Sequence, residues 1–297
     1  MNLLLVLFPD LTLIAIGFAL SRSVDWGADL WSGIEKLVYY VLFPVLLFHS
    51  IVRYPPQWSE ARPLALGVLG VIAVAAALGW LARPVLRPAA LRHASAVQCA
   101  FRFNSYLLLA LAQRVVGPEG LALSAVCIGT AVPVCNTLAV SALAPHSRAS
   151  LLGEWLRNPL IIATVAGSIA ASAGLRLSEP VETLLGRLGV AALTLGLLTI
   201  GAAIRPASLA GDRWLIGWLT AVKLLAAPLA ALGLGAALDL ATSARAVLLL
   251  FAAVPTAPGA YVLASRMGGD GPFVAVCITT SIIAAAVTLP FWLAWIV

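Results

Sequence analysis

The sequence predicts an all-α integral membrane protein with ten transmembrane helices, which form a five-plus-five inverted repeat in which two broken helices, spans 4 and 9, cross. Three observations predict this fold class. First, 62% of the 297 residues are apolar and 10% are charged, whereas a soluble domain carries about 25% charged residues. Second, apolar stretches follow one another along the whole chain, separated by short polar connections. Third, motifs of the first half recur in the second half in the same order.

Each predicted span is an apolar stretch near the length that crosses a bilayer, for which about 20 residues suffice. The fourth is the least hydrophobic, because polar residues such as Arg102, Asn104 and Gln113 interrupt it. The ten predicted spans are residues 3–20, 31–52, 63–81, 94–115, 120–143, 159–175, 181–204, 214–238, 244–267 and 272–297.

The basic residues of the connections predict the orientation, since Lys and Arg are enriched in cytoplasmic loops. The odd-numbered connections hold the larger set, which is Arg22, Lys36, Arg83, Arg87, Arg92, Arg148, Arg157, Arg205, Arg213 and Arg266. The even-numbered connections hold the smaller set, which is Arg53, Arg62, Arg114, Arg176, Arg187 and Arg245. We therefore predict a multi-pass protein of the cell (inner) membrane with both termini on the extracytoplasmic side. Because the basic residues are scattered singly, the net charge of +6 predicts no nucleic-acid partner.

The repeat divides the chain into two halves, residues 1–150 and 151–297. The hexapeptide AVCIGT, Ala125 to Thr130, recurs as AVCITT, Ala275 to Thr280, about half the chain length away. Neighbouring motifs recur in the same order on the same hairpin. Because each half contains an odd number of predicted spans, the second half enters the membrane inverted relative to the first.

Two prolines interrupt the ninth predicted span, at Pro255 and Pro258. Each proline lacks an N–H and clashes with the carbonyl one turn back, so a regular helix cannot pass through this segment. At membrane depth, freed backbone groups survive only where protein buries them or a wet cavity solvates them. In the repeat, the polar residues Asn104 and Ser105 of the fourth span stand where the ninth has its prolines. We expect both spans to be broken and to meet at a site near the midplane, although a single proline kink is the alternative for the ninth.

Several motifs, spread in order over nearly the whole chain, are together more specific than any one of them. They are FRFNSY at 101–106, GPEGLA at 117–122, VPVCN at 132–136, RNPLI at 157–161, KLL at 223–225 with Pro228, and PTAPGAYVLA at 255–264. At these residues the sequence resembles the auxin efflux carrier family, which includes the plant PIN carriers and bacterial malonate and malate permeases.

The resemblance implies a fold related to the bile-acid sodium symporters, in which two crossing helices hold a carboxylate-bearing substrate that an elevator-like motion carries across the membrane. Carried over by position, it places Asn104 and Ser105 at the fourth-span crossover, and the run Pro255, Thr256, Ala257, Pro258 and Gly259 at the ninth. One departure lies at the crossover itself. The family's usual Asn-Thr-Gly is Asn104-Ser105-Tyr106 here, which changes the expected shape of the substrate pocket.

The remaining candidates are polar or charged residues inside predicted spans, where an ionisable group is costly and often functional. Arg102 and Asn136 are candidate substrate-binding residues, with snorkelling of Arg102 to the interface and backbone bonding by Asn136 as alternatives. Lys223 is predicted to act as a scaffold charge, with Asp10 as a candidate partner. Asp10 is either a proton-coupling carboxylate or the outer end of a shifted first helix. Because the four cysteines lie in apolar runs without a CxxC motif, neither a disulfide framework nor a metal site is predicted.

The predicted function is a secondary transporter for small organic anions, with a small carboxylate as substrate and the bilayer as surroundings. No Walker-type GxxxxGK[ST] motif and no GxSxG motif occurs in the sequence, so ATP use is not expected and no catalytic residue or cofactor is assigned. The coupling ion, H+ or Na+, is left open, and a homodimer is included among the expected partners. A membrane channel and a membrane-embedded enzyme are the alternatives.

Overall fold

The computed structural model describes residues 3–23, 27–55, 58–143, 159–203, 212–257 and 259–295. These residues form helices and contain no strand, which confirms the all-α class. The helices are α1 Leu3–Ser23, α2 Gly27–Leu37, α3 Phe43–Arg53, α4 Trp58–Leu86, α5 Ala90–Ala96, α6 Ser105–Val115, α7 Pro118–Leu143, α8 Pro159–Ser172, α9 Glu179–Ala203, α10 Arg213–Ala221, α11 Ala227–Ala237, α12 Thr242–Ala253, α13 Gly259–Arg266 and α14 Gly271–Leu293.

Within these ranges, six helical stretches are long and apolar enough to cross a membrane, by length and composition. They correspond to predicted spans 2, 3, 5, 7, 8 and 10, and they are Asp29–Arg53, Ser59–Leu86, Pro118–Leu143, Glu179–Ala202, Arg213–Ala237 and Gly271–Leu293. Shorter apolar helices lie in spans 1, 6 and 9, at Thr12–Ser23, Ile162–Ser172 and Thr242–Ala253. The arrangement of ten spans as an inverted repeat stays a prediction.

Two of the long stretches contain a π-helical turn, at Val38–Leu42 and at Val222–Ala226. In the first, the N–H of Phe43 donates to the carbonyl of Val38, five residues back. A proline follows each turn, at Pro44 and Pro228. A proline in a helix removes one hydrogen bond and crowds the preceding turn, and a π turn is a local widening that accommodates such a disruption. The turns therefore allow both helices to continue past a proline.

The helices α1, α2, α3, α8 and α9 form a group that we call the flanking bundle, in which α1 packs on α9 and α3 packs on α8. Two glycines set the closeness of the first pair. A Cβ at Gly17 would collide with the carbonyl of Leu198, and one at Gly201 would collide with the carbonyl of Ile14. Small residues at an interface let two helix backbones approach, as is typical of packing in membranes.

The helices α4 to α7 and α10 to α14 form a second group, the central bundle. Indole N–H groups join its members, because Trp218 donates to the carbonyl of Leu78 at 2.8 Å and Trp292 donates to the carbonyl of Leu224 at 2.8 Å. The two bundles meet where α3 and α8 pack on α7 and where α9 packs on α6. The bundles also meet where Tyr106 of α6 stacks on Phe43 of α3, with ring centroids 4.4 Å apart.

Candidate functional site

Two interruptions in helical structure lie against each other inside the central bundle. The first separates a short 3-10 turn, Val97–Ala100, from α6, and the second separates α12 from α13. The backbone N–H of Asn104 donates to the carbonyl of Pro255 at 2.8 Å. The hydroxyl of Thr256 donates to the carbonyl of Cys99 at 2.7 Å. Each interruption therefore supplies a hydrogen-bonding group that the other needs.

Asn104 is the N-cap of α6, and its side chain is 1% exposed. Its Oδ1 accepts from the N–H groups of Tyr106 at 3.1 Å and Leu107 at 3.2 Å. An asparagine in this position satisfies N–H groups that have no partner within the helix. Its Nδ2, in contrast, is buried and has no hydrogen-bond partner among the described residues. The side chain therefore completes the helix with its oxygen and leaves two amide N–H donors for another group.

The second interruption has a fully buried cation beside it. Lys223, on the π turn between α10 and α11, is 2% exposed. Its Nζ donates to the carbonyl of Ala252 at 2.9 Å and lies 3.4 Å from the carbonyl of Phe251. Both carbonyls belong to the last turn of α12, which is the negative end of that helix.

The segment from Pro255 to Ala257 is also held by α14 and by aromatic side chains. The N–H of Thr256 donates to Oγ of Ser281 at 3.0 Å. The ring of Phe103 meets that of Phe251 edge-on, at 4.6 Å between centroids. Thr256 is fully buried and Ala257 is partly exposed. These contacts join the second interruption to α14, and the end of α12 before it to the first interruption.

Arg102 and Asn136, both predicted as site residues, are hydrogen-bonded to each other. Arg102 Nη2 donates to Oδ1 of Asn136 at 2.7 Å. Asn136 lies on α7, and its neighbour Cys135 donates from Sγ to the carbonyl of Phe101 at 3.6 Å. The guanidinium is therefore tied to α7 beside the first interruption, and it is partly exposed.

The other predicted residues fall around this crossing in different ways. Ser105 is the first residue of α6 and is partly buried, while Gly259 is exposed at the start of α13. Pro258 lies outside the described residues, and so does the side chain of Asp10, a position within α1. The described partners of Lys223 are carbonyls of α12, and its pairing with Asp10 stays a prediction.

Sequence reasoning missed the hydrogen-bonding role of Cys99 and the carbonyls that Lys223 contacts. The Cys99 carbonyl accepts from a hydroxyl 157 residues further along the chain. No local pattern marks such a contact. The carbonyls that Lys223 contacts could have been found from Pro255, because a proline has no N–H to donate to the carbonyl one turn before it.

The arrangement is chemically suited to an anion. A helix N-terminus carries partial positive charge and unpaired N–H groups, which together bind anions. Here the α6 N-terminus is accompanied by the buried amide of Asn104 and by the charge of Arg102. No group of three or more His, Cys, Asp or Glu side chains in the described ranges could hold a metal ion.

Comparison with known proteins gives two matches. The family model described as "Membrane transport protein" matches residues 145–293. A protein from Rhizobium meliloti (strain 1021), named "Putative malonate transporter", is 26% identical over an alignment of 307 residues, which covers 95% of this chain and 93% of that protein.

Proposed function

Because the chain belongs to the membrane transport protein family, that of the auxin efflux carriers, we propose that it is a secondary carrier of small carboxylates that works by alternating access around the crossing of spans 4 and 9. The family and the relative are transporters, which confirms the expectation of a membrane transporter and not an enzyme. The carboxylate substrate and the elevator-like motion are the parts that we propose.

The single observation that carries the substrate class is the side chain of Asn104. A buried amide without partners costs free energy, on the order of 1–3 kcal/mol in proteins, so a site that retains one is explained by a ligand that accepts its hydrogen bonds. A carboxylate oxygen fits, because it accepts without needing a donor in return. The same oxygen would lie at the N-terminus of α6, where an anion gains roughly 0.3–1 kcal/mol from the helix dipole.

The neighbouring groups favour a small anion over a large one. Arg102 adds positive charge from the α7 side, while Thr256, Phe103 and Phe251 are buried against the crossing. The name of the relative contains malonate, a short dicarboxylate. We therefore propose mono- and dicarboxylates of a few carbons as the substrates, with Asn104, Ser105, Arg102, Asn136 and residues 255–259 around them.

Two features of the packing support an elevator-like motion of one bundle past the other. If predicted spans 1 and 2 are matched to spans 6 and 7, α1 corresponds to α8 and α3 corresponds to α9. The contact of α1 with α9 then becomes the contact of α8 with α3, as an inverted repeat requires, and both contacts are present. Both interruptions lie in the central bundle, while the flanking bundle is joined tightly through Gly17 and Gly201. A rigid flanking bundle would serve as the fixed element against which the central bundle carries its site.

Uptake into proteoliposomes tests this proposal. We expect purified protein to take up radiolabelled malonate, and we expect unlabelled malonate inside the vesicles to accelerate that uptake. A channel, the alternative function, would show no such acceleration. The Asn104→Ser variant tests the amide separately from the helix cap, because serine is also a good N-cap but lacks the amide N–H groups. Uptake by this variant equal to that of the wild type, or no response to any carboxylate in a thermal-shift screen, would contradict the proposal.

A further inference from the structure

Lys223 is a positive charge in the interior of the central bundle, with 2% of its surface exposed. A charged group inside a membrane protein is costly unless it is paired. The ion pairs found among the described residues are Arg53 with Glu182 and Arg92 with Asp270, and neither includes Lys223. Its charge is instead directed at backbone carbonyls of α12.

Those two carbonyls are the ones that the second interruption leaves without their helical donors. In a regular helix, the carbonyl of Phe251 would accept from residue 255, but Pro255 has no N–H. The carbonyl of Ala252 would accept from Thr256, whose N–H donates to Ser281 Oγ instead. Lys223 Nζ replaces both missing donors, and its positive charge faces the negative end of the helix.

The surroundings hold the ammonium in this place. Lys223 is the second residue of the π turn, and Trp292 of α14 donates to the carbonyl of the next residue, Leu224, at 2.8 Å. The ammonium also lies 5.8 Å from the centroid of the Phe251 ring, within the range of a cation–π contact. Three elements, α10 with its π turn, α12 and α14, therefore define one position for a cation at the crossing.

In secondary carriers with interrupted helices, carbonyls of unwound segments and the C-terminal ends of half-helices coordinate the coupling Na+ or H+. We propose that Lys223 is a positioning residue that takes the place of such a coupling cation. Its ammonium holds the end of α12, and hence Pro255, whose carbonyl accepts from the N–H of Asn104. This inference rests on the proposed carboxylate carrier, since it is the Asn104 side that contacts substrate.

The test compares wild type with Lys223→Met and Lys223→Ala in proteoliposomes, with sodium chloride replaced by choline chloride at constant ionic strength. Wild-type malonate uptake should be the same in both salts. Lys223→Met fills the space without a charge and should raise KM about tenfold in both salts, the effect of losing one hydrogen bond from a charged group. Lys223→Ala leaves space beside the two carbonyls, so sodium should lower its raised KM several-fold.

Leu224→Met is the control, because it changes a buried neighbour without changing charge, and its KM should be unaltered in either salt. A purely structural role for Lys223 would lower the melting temperature without a sodium effect that differs between the Ala and Met variants. Wild-type uptake that requires sodium, a Met variant with wild-type KM, or an Ala variant that sodium does not rescue would each overturn the inference. If neither variant folds, wild-type uptake decides: equal uptake in both salts supports the inference, and uptake that requires sodium overturns it. Wild-type protein that transports no carboxylate would instead overturn the proposed function.

Discussion

The two helix interruptions face each other in the central bundle, yet different chemistry completes them. At the first, the neutral side chain of Asn104 caps α6 with its oxygen, and its Nδ2 has no partner in the part of the chain that the structure describes. At the second, Lys223 donates to the carbonyls at the end of α12, and Thr256 donates to the Cys99 carbonyl of the first interruption. One break thus offers donors, while the other already has a cation at its acceptors. We infer that the crossing binds an anion and does not bind an additional cation.

The largest effect is expected at Asn104, where a substitution separates the helix cap from the free amide. Asn104→Ser and Asn104→Ala should both weaken carboxylate binding by about 10- to 150-fold, since hydrogen bonds to charged groups contribute roughly 1.5–3 kcal/mol. Only the alanine variant should also lose stability, by about 1 kcal/mol for the missing N-cap. Uptake kinetics and melting temperatures measured together check this. Equal melting temperatures for the two variants would contradict the capping role.

A smaller effect is expected at the other break, from Pro255→Ala. The new N–H can donate to the Phe251 carbonyl, so the segment that presents the Pro255 carbonyl to Asn104 should rewind toward helix. We expect uptake to fall about tenfold or somewhat less, as for the loss of one neutral hydrogen bond, while the melting temperature is unchanged or higher. Pro63→Ala in α4 is the matched control and should leave uptake unchanged. A Pro255→Ala variant with wild-type uptake would show that the break is dispensable.

Thr256→Val should act on stability more than on transport. The substitution keeps the side-chain shape but leaves the buried Cys99 carbonyl without its hydroxyl donor, which costs roughly 1–3 kcal/mol. Thr288→Val provides the comparison, because the Thr288 hydroxyl is buried with no partner among the described residues. Melting temperatures should fall for Thr256→Val and stay level or rise for Thr288→Val. The opposite order would rule out a stabilising contribution of the bond from Thr256 to the Cys99 carbonyl.

The smallest effect is expected at Asn136, which binds Arg102 without belonging to either break. Asn136→Ala removes one acceptor and should change the malonate KM by no more than about threefold, the lower range for a single hydrogen bond. Asn136→Asp places a carboxylate beside the guanidinium and should raise KM further, because it neutralises a charge that favours the anion. Equal KM values for the Asn136→Asp and Asn136→Ala variants would mean that Arg102 does not act on the substrate.

The position of the first break could be predicted from the sequence, because the polar residues Asn104 and Ser105 lie within an apolar stretch. The capping role of Asn104 was not predicted and is a finding of the structure. The interruption at Pro255 was also predictable, since a proline affects the four residues before it. The all-α class followed from the low charged fraction together with apolar stretches of the length that crosses a bilayer as a helix.

What could not be predicted depends on contacts between distant segments. The sequence indicated that Lys223 is buried, and a carboxylate partner was the natural expectation. Its described partners are carbonyls 28 and 29 residues away, which no local pattern marks. Arg102 and Asn136 were both chosen as site residues, but their mutual bond, 34 residues apart, depends on how α7 packs beside the first break.

The bond from Thr256 to the Cys99 carbonyl has a consequence for biosynthesis. Its partners are 157 residues apart, so the fourth predicted span leaves the ribosome long before the hydroxyl that completes it has been made. Until then its open carbonyl must be hydrated or held by the insertion machinery, because hydrocarbon offers it no donor. If the chain were cut between the two halves, each fragment would lack the partner of this hydrogen bond. We would therefore expect protein that resists proteolysis only when both fragments are co-expressed.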